Sequence, residues 1–227
     1  MQIDRFKFAA ASYLCFWLEV DKYFFGWHDL THQNLNDFLI RYKVRRTIHD
    51  VDLTPFISTI KRQKQNRAPI TEETVPTVVA KVCDDIKEKY KQPRTCLSAV
   101  SKVLWMVHGH PIAIYDNLAR KGLARETGFG SSALGSYETY YDHWLRQFRA
   151  HEGEIRAAQK WLPKSALIER LQRFGVETKS DLCEAVKQSW FANRIFDQWL
   201  LAIGDGWFQK RSTLVKAAQI LDPTEAG

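Results

Sequence analysis

Two ionisable side chains in the middle of the chain, Lys102 and Asp116, are the residues best placed to do chemistry. Lys102 lies in a stretch with helical apolar spacing, and Asp116 follows a short apolar run that ends in Tyr115. A carboxylate held beside a reacting sugar stabilises positive charge and can activate water, whereas a lysine amine can bind phosphate or attack as a nucleophile. The non-catalytic alternatives are an N-cap role for Asp116 and a solvated position on a polar helix face for Lys102.

One helix and one connector are predicted to position this pair. The helix carries an apolar stripe at helical spacing, formed by Leu97, Val100, Leu104 and Val107. The sequence His108-Gly109-His110-Pro111 ends it, because glycine and proline both interrupt helices. An extended apolar run at 112–115 then leads to Asp116, where a second helix begins. This order places a carboxylate at the start of a helix, where it can be held rigidly in a cleft.

Several aromatic and imidazole side chains are candidates to stack on a planar ring such as a nucleic-acid base. They are Trp105, Tyr115, His108, His110 and Tyr141. Aromatic faces stack on extruded bases. For Tyr141 the alternative is a core position, since it belongs to a stripe of aromatic residues at helical spacing. The two histidines lack a third ligand in the sequence, so we predict neither a metal nor a cofactor.

The composition of the 227-residue chain limits the classes of function. A formal net charge of +7 suits a polyanionic partner such as nucleic acid without establishing one. The four cysteines are scattered with no C-x-x-C pair, which favours buried free thiols in a reducing compartment. Neither a signal-peptide pattern nor an apolar run of the roughly 20 residues that span a bilayer is present. We therefore expect a soluble, cytoplasmic protein with no membrane partner.

Basic residues near predicted helix ends are candidates to contact the DNA backbone. They are Lys91, Arg94, Arg120, Lys121, Arg45 and Arg46. Such side chains bind phosphates without reading base sequence. The alternative for Arg45 and Arg46 is a solvated helix end whose cations suit the negative pole of the helix dipole. A further polar and basic run at 61–69 is predicted to be a loop or linker.

Helical periodicity dominates the rest of the chain and predicts an all-α fold. Helices are expected over 4–25, after Thr31, after Thr54-Pro55, over 74–90 and 137–161, and in three more segments between 165 and 221. A glycine- and serine-rich loop is expected at 126–136. We predict a single helical domain, with about 54–125 as one candidate subdomain and 1–53 plus 126–227 as the other.

The central segment resembles a known enzyme family. Its order of helix, loop, proline, apolar residues, Tyr115, Asp116 and helix is similar to the catalytic segment of the helix-hairpin-helix DNA glycosylases, the superfamily of 8-oxoguanine and adenine glycosylases. Ile114, Tyr115 and Asp116 match the Pro-Val-Asp type of motif that supplies the essential aspartate there. The pattern Ser98-x-x-Ser101-Lys102 followed by Pro111-Ile112-x-x-Tyr115-Asp116 also resembles a divergent bacterial branch with the 8-oxoguanine glycosylase fold, often found near phage-defence genes. The resemblance covers about residues 87–123.

The resemblance implies a fold, an activity and a partner. The fold would be a helical glycosylase-like one with a cleft between two helical subdomains. The activity would be the excision of a modified base, from phage DNA, with Asp116 stabilising the developing sugar cation. Lys102 would line the same cleft, and the partner would be double-stranded, modified DNA.

Two features depart from the family pattern. The family hairpin is normally Leu-Pro-Gly-Val-Gly, whereas residues 91–95 read Lys-Gln-Pro-Arg-Thr, without the glycine pair that presents backbone amides to a phosphate. An ungapped alignment places Leu97 where lyase-active members carry their lysine, so the register gives lyase activity through Lys102 no support. These departures leave open an alternative, in which the chain is a catalytically inactive nucleic-acid-binding or partner-docking module of a bacterial defence system.

Overall fold

A computed structural model describes residues 4–26, 29–45, 48, 52–65, 68–91, 96–173 and 178–207. Every regular element within these ranges is a helix, which confirms the all-α prediction for the described part of the chain. The α-helices are α1 (Arg5–Glu19), α2 (His32–Arg41), α3 (Thr54–Gln65), α4 (Val75–Tyr90), α5 (Leu97–His108), α6 (Asn117–Thr127), α7 (Tyr137–Ala150), α8 (Glu152–Trp161), α9 (Ala166–Arg173), α10 (Lys179–Lys187) and α11 (Ser189–Gly204). Short 3-10 helices cover Asp21–Tyr23 and Leu162–Lys164. A membrane-spanning helix is absent from these ranges, because each helix is too short or too polar.

The helices divide into two compact units that alternate along the chain. The terminal unit contains the described residues among 1–18, 117–134 and 142–227, and the central unit contains those among 19–116 and 135–141. These units differ from the predicted subdomains, because 19–53 belongs with the central unit and α6 with the terminal unit. The first turn of α7 lies in the central unit and its remainder in the terminal unit.

The terminal unit is organised around α11, which packs closely against α6. Two glycines permit this approach. An added Cβ on Gly122 would lie 2.0 Å from the carbonyl oxygen of Leu200, and one on Gly204 would lie 2.0 Å from that of Leu118. Only glycine fits at such a distance, so these residues set the separation of the two helices.

A buried ion pair on α11 lies in the core of the terminal unit. Nη1 of Arg194 is 2.9 Å from Oδ2 of Asp197, and Oδ1 of the same carboxylate accepts a hydrogen bond from the Trp144 indole at 2.8 Å. The Arg194 guanidinium also lies 5.0 Å from the centre of the Tyr13 ring. All four residues are at most 4% exposed, so hydrogen bonds and an aromatic face compensate for the burial of the two charges.

In the central unit, α3 packs against α4 and α4 packs against α5. The interior face of α4 repeats at helical spacing and consists of Val75, Val79, Val82 and Ile86, each at most 2% exposed. Polar side chains near the end of α4 hold it to the α3 region. Lys89 Nζ lies 2.9 Å from the Thr59 hydroxyl, and the Tyr90 hydroxyl donates a hydrogen bond to the Asp52 carbonyl at 2.8 Å.

Several predicted helix boundaries are confirmed, and others are wrong for identifiable reasons. The helix predicted after Thr31 is α2, and the Thr31 hydroxyl caps it by accepting a hydrogen bond from the backbone N–H three residues on. The helix predicted over 74–90 is α4. The loop predicted at 61–69 is wrong over 61–65, where α3 continues to Gln65, because lysine, arginine and glutamine are good helix formers. The helix predicted over 137–161 is two helices that meet at His151.

Candidate functional site

Lys102 and Asp116 meet inside the central unit. Nζ of Lys102 lies 2.8 Å from Oδ2 of Asp116. The lysine side chain is 8% exposed and the aspartate side chain is 26% exposed, so the ammonium is withdrawn from solvent while part of the aspartate side chain reaches it. The alternative of a solvated lysine is therefore wrong. Partial burial strengthens the attraction between the two charges, because little water screens it.

Two elements bring the pair together. Lys102 lies in the middle of α5, and Asp116 is the last residue of an irregular connector, 109–116, that precedes α6. The chain leaves α5 through Gly109, which has a positive φ of 66°, and the His110–Pro111 peptide bond is cis. Ser101 then ties the connector back to α5, because its hydroxyl accepts a hydrogen bond from the Tyr115 N–H at 3.0 Å. This bond joins the chain neighbours of Lys102 and Asp116, and so it fixes the register of the pair.

Three tyrosines in the first turn of α7 hold the connector from another side. The hydroxyls of Tyr137, Tyr140 and Tyr141 donate hydrogen bonds to the carbonyls of Ala113, Ile114 and Pro111 at 2.8, 2.9 and 3.0 Å. All three side chains are at most 3% exposed. We call this set the tyrosine clamp. It satisfies backbone carbonyls that lie outside regular secondary structure, and it restrains the backbone that ends in Asp116.

Two residues that the sequence did not indicate are connected to Lys102, Tyr42 directly and Asp21 through Tyr42. The Tyr42 ring is 5.9 Å from Lys102 Nζ, and the Tyr42 hydroxyl donates a hydrogen bond to Oδ1 of Asp21. Asp21 is fully buried. Asp21 stands among the charged neighbours Glu19 and Lys22, so nothing in the sequence marks it as buried, and no local pattern relates positions 21, 42 and 102.

The two candidate histidines line a separate small pocket of the central unit. His108 and His110 lie with Gln63, Lys64 and residues 68–70 around a volume of about 250 Å³, and neither Lys102 nor Asp116 lines it. Burial, together with the nearby Lys64 ammonium, lowers the pKa of His108 below its ordinary value. Its Nε2 is buried and has no hydrogen-bond partner among the described residues. The structure thus places these histidines in a pocket of their own.

The aromatic candidates for the base pocket are used in packing. Trp105 is fully buried, with its ring centre 5.2 Å from that of Phe25. Tyr141 belongs to the tyrosine clamp, so the core alternative is confirmed for it. Tyr115 is partly buried, and its hydroxyl donates to the Gly135 carbonyl at 3.1 Å. Of these three residues, Tyr115 alone is partly exposed, and it is also the residue that precedes Asp116 in the sequence.

The basic candidates differ in whether their side chains bond to other protein groups or are exposed to solvent. Lys91 ends α4 in a left-handed conformation with an exposed side chain, and Lys121 is exposed on α6 in the terminal unit. The Arg45 guanidinium donates to Asn36 Oδ1 at 3.1 Å and to the Ile48 carbonyl. Arg120 donates to Asn117 Oδ1 at 3.1 Å. Arg45 and Arg120 therefore have protein partners, while Lys91 and Lys121 present their side chains to solvent.

Parts of the predicted DNA-binding surface fall outside the described residues. Arg46 and Arg94 are among them, as is the turn Gln92-Pro93-Arg94 in place of the family's glycine hairpin. The helices on either side of this turn, α4 and α5, are described and pack against each other. Among the described residues, no group of three or more His, Cys, Asp or Glu side chains is arranged to hold a metal ion.

Comparisons with known proteins identify no relative of this chain. No protein-family model, no curated protein and no solved structure matches the chain. A function therefore has to be argued from the chemistry of the site.

Proposed function

We propose that the protein is a DNA glycosylase that excises a modified base and that Asp116 is its catalytic carboxylate. The observation that carries this proposal is the contact of 2.8 Å between Lys102 and Asp116. The sequence alone left open whether the two side chains share a site. The family resemblance supports the same assignment, together with a glycosylase-like helical fold and its DNA-binding cleft.

Asp116 has the properties that bond cleavage at a glycosidic carbon requires. Positive charge develops on the sugar as the base departs, and a carboxylate fixed nearby lowers the energy of that state and can activate water. The Asp116 side chain is 26% exposed, which gives a substrate access to it. The tyrosine clamp and Ser101 hold the backbone of the residues just before Asp116, so the carboxylate is already in place before DNA binds.

A second activity, strand cleavage through Lys102, is a separate question, because the sequence register of this lysine does not match that of lyase-active family members. The Lys102 ammonium lies beside the carboxylate, and transfer of one proton to Asp116 would free the amine to attack the sugar carbon while the base leaves with its electron pair. This attack forms a nitrogen–carbon bond. Opening of the sugar ring, with a proton taken up by the ring oxygen and one lost from nitrogen, then gives an imine between Lys102 and the opened sugar, from which strand cleavage follows. If Lys102 acts in this way, borohydride reduces the imine and leaves the protein covalently attached to DNA. If water attacks instead, no covalent product forms.

The proposed substrate is a modified base in double-stranded DNA. Exposed cations such as Lys91, which belongs to the same unit as Asp116, would bind its phosphates. By resemblance, the setting is bacterial antiphage defence, so phage DNA with hydroxymethylated or glucosylated cytosine is the first substrate to test.

The test is incubation of the purified protein with modified and unmodified DNA duplexes, followed by hot alkali to cleave abasic sites. The proposal predicts alkali-dependent cleavage of modified DNA only. Tight, salt-sensitive DNA binding with no abasic product from any modified duplex would select the alternative of an inactive DNA-binding module, which the missing glycine hairpin favours. Absence of DNA binding at moderate salt would contradict both.

A further inference from the structure

We infer that Tyr42, held in place by the buried carboxylate of Asp21, is a positioning residue that keeps the Lys102 ammonium against Asp116. The importance of this role rests on the proposed function, although the contacts themselves do not. Lysine has a long and flexible side chain, and holding it in one conformation costs entropy. A catalytic lysine therefore needs neighbours that restrict it.

The contacts of Lys102 define two sides of its ammonium group. Oδ2 of Asp116 lies on one side at 2.8 Å, and the ring of Tyr42 lies over Nζ at 5.9 Å from the ring centre. An aromatic face attracts a cation through its negative potential, and the attraction increases when water is excluded. The lysine residue is 7% exposed, so water is largely excluded here.

Tyr42 is itself anchored at three points. Its backbone N–H donates to the Phe38 carbonyl at 2.9 Å, and its ring centre lies 4.3 Å from that of Phe38. Its hydroxyl donates to Oδ1 of Asp21. Phe38 is fully buried, so the ring has a rigid support.

The buried carboxylate of Asp21 stabilises the position of the Tyr42 hydroxyl. A fully buried carboxylate is costly unless donors compensate for the lost hydration, and Tyr42 supplies one such donor. A hydroxyl that donates to an anion also makes its ring more electron-rich, which strengthens the attraction for Lys102. Asp21 is thus connected to Lys102 through Tyr42, while Asp116 is the direct partner of the ammonium.

The test measures the reactivity of Lys102 itself. Limited acetylation with acetic anhydride, read by peptide mass spectrometry, gives the labelling rate of Lys102 relative to the exposed Lys87 and Lys91 in the same sample. Tyr42→Ala is expected to raise the relative rate about fivefold, the factor that corresponds to the loss of about 1 kcal/mol of cation–π attraction. Tyr42→Phe keeps the ring but removes its hydrogen bond to Asp21, so its relative rate should lie between those of the wild type and Tyr42→Ala.

The control is Tyr90→Ala, which removes a tyrosine that bonds the Asp52 carbonyl in the same unit and is not a contact of Lys102. It should leave Lys102 labelling unchanged, whereas general loosening of the unit would raise labelling in both alanine variants. Tyr42→Leu repeats the experiment with an apolar side chain on Phe38 if the alanine variant does not fold. Unchanged labelling in a folded Tyr42→Ala or Tyr42→Leu protein would overturn the inference.

A second readout separates this inference from the proposed function. If the enzyme excises a base, Tyr42→Ala should lower kcat about fivefold and change KM little, since substrate binding does not depend on Lys102 alignment. Labelling that responds as predicted in a protein without glycosylase activity would reject the proposed function and support the positioning role. Active enzyme with unresponsive labelling would reject the positioning role alone.

Discussion

The ammonium nitrogen of Lys102 and a carboxylate oxygen of Asp116 lie 2.8 Å apart, although the residues are 14 positions apart in the sequence. The two partners are unequal, because the lysine side chain is 8% exposed and the aspartate side chain 26%. Because the ammonium is more deeply buried than the carboxylate, removing Lys102 and removing Asp116 should change the free energy of unfolding by different amounts.

Asp116→Asn is expected to destabilise the protein more than Lys102→Met does. The first change leaves a buried ammonium without its counter-ion and should lower the free energy of unfolding by about 1–3 kcal/mol. The second replaces that ammonium with an apolar side chain of similar length and leaves Asp116 able to turn towards water. Urea denaturation of both variants measures the difference.

The double variant Lys102→Met with Asp116→Asn is the control for this comparison. It should be close in stability to Lys102→Met, since no unpaired ammonium remains. Single-variant losses that simply add in the double variant would show that the two side chains do not interact in solution.

Tyr140→Phe tests the tyrosine clamp. The change removes the donor to the Ile114 carbonyl, so we expect a loss of about 1–2 kcal/mol in the free energy of unfolding. If the proposed function holds, the excision rate should also fall, because Asp116 is two residues further along the same backbone. Tyr23→Phe is the matched control, since Tyr23 is 68% exposed, and its stability should be unchanged. A Tyr140→Phe protein as stable as this control would argue against the clamp.

Gly122→Ala tests the close approach of α6 to α11. The added Cβ would lie 2.0 Å from a backbone oxygen of Leu200, which cannot move without shifting α11. We expect a destabilisation of about 3 kcal/mol or more, measured by thermal or chemical unfolding. Gly153→Ala in α8 is the control, because nothing lies within 4 Å of its added Cβ, and it should be neutral or stabilising by up to about 1 kcal/mol. Equal stability of the two variants would show that α6 and α11 pack less closely.

His108 should make stability depend on pH. Its folded-state pKa lies below the ordinary value of 6.5, because burial and the Lys64 charge oppose protonation. The unfolded chain therefore binds more protons as the pH falls below about 6.5, and stability is lost in that direction. His108→Gln should reduce this loss in unfolding experiments between neutral and acidic pH, while His110→Gln, at an exposed position, should retain it. An identical pH profile for wild type and His108→Gln would contradict this account.

Local sequence patterns were sufficient for most helices, but they left open whether Lys102 and Asp116 share a site. The apolar stripe of α5 and the break at 108–111 follow from helical spacing and from glycine and proline chemistry, and both are observed. The capping role of Thr31 follows in the same way, because a cap depends only on residues a few positions away.

Long-range contacts could not be read from those patterns. The burial of Lys102 depends on Tyr42 and Asp116, which lie on other segments, so its position suggested a polar surface. The hydroxyls of Tyr137 and Tyr140 bond carbonyls more than 20 residues away, and nothing local specifies which carbonyl each reaches. Helical spacing predicted that these rings face the core, but it gave no sign that their hydroxyls donate hydrogen bonds.

The single-turnover excision rate of Asp116→Asn tests the central claim most directly. With the modified duplex that the wild-type protein cleaves, the rate should fall about 100- to 1000-fold, because the carboxylate that stabilises the sugar cation is lost. DNA binding should be as tight or tighter, since one negative charge is removed. Asp85→Asn, which removes a carboxylate paired with Arg62 in the same unit, is the matched control and should excise at the wild-type rate. An Asp116→Asn protein that excises the base as fast as this control would contradict the account.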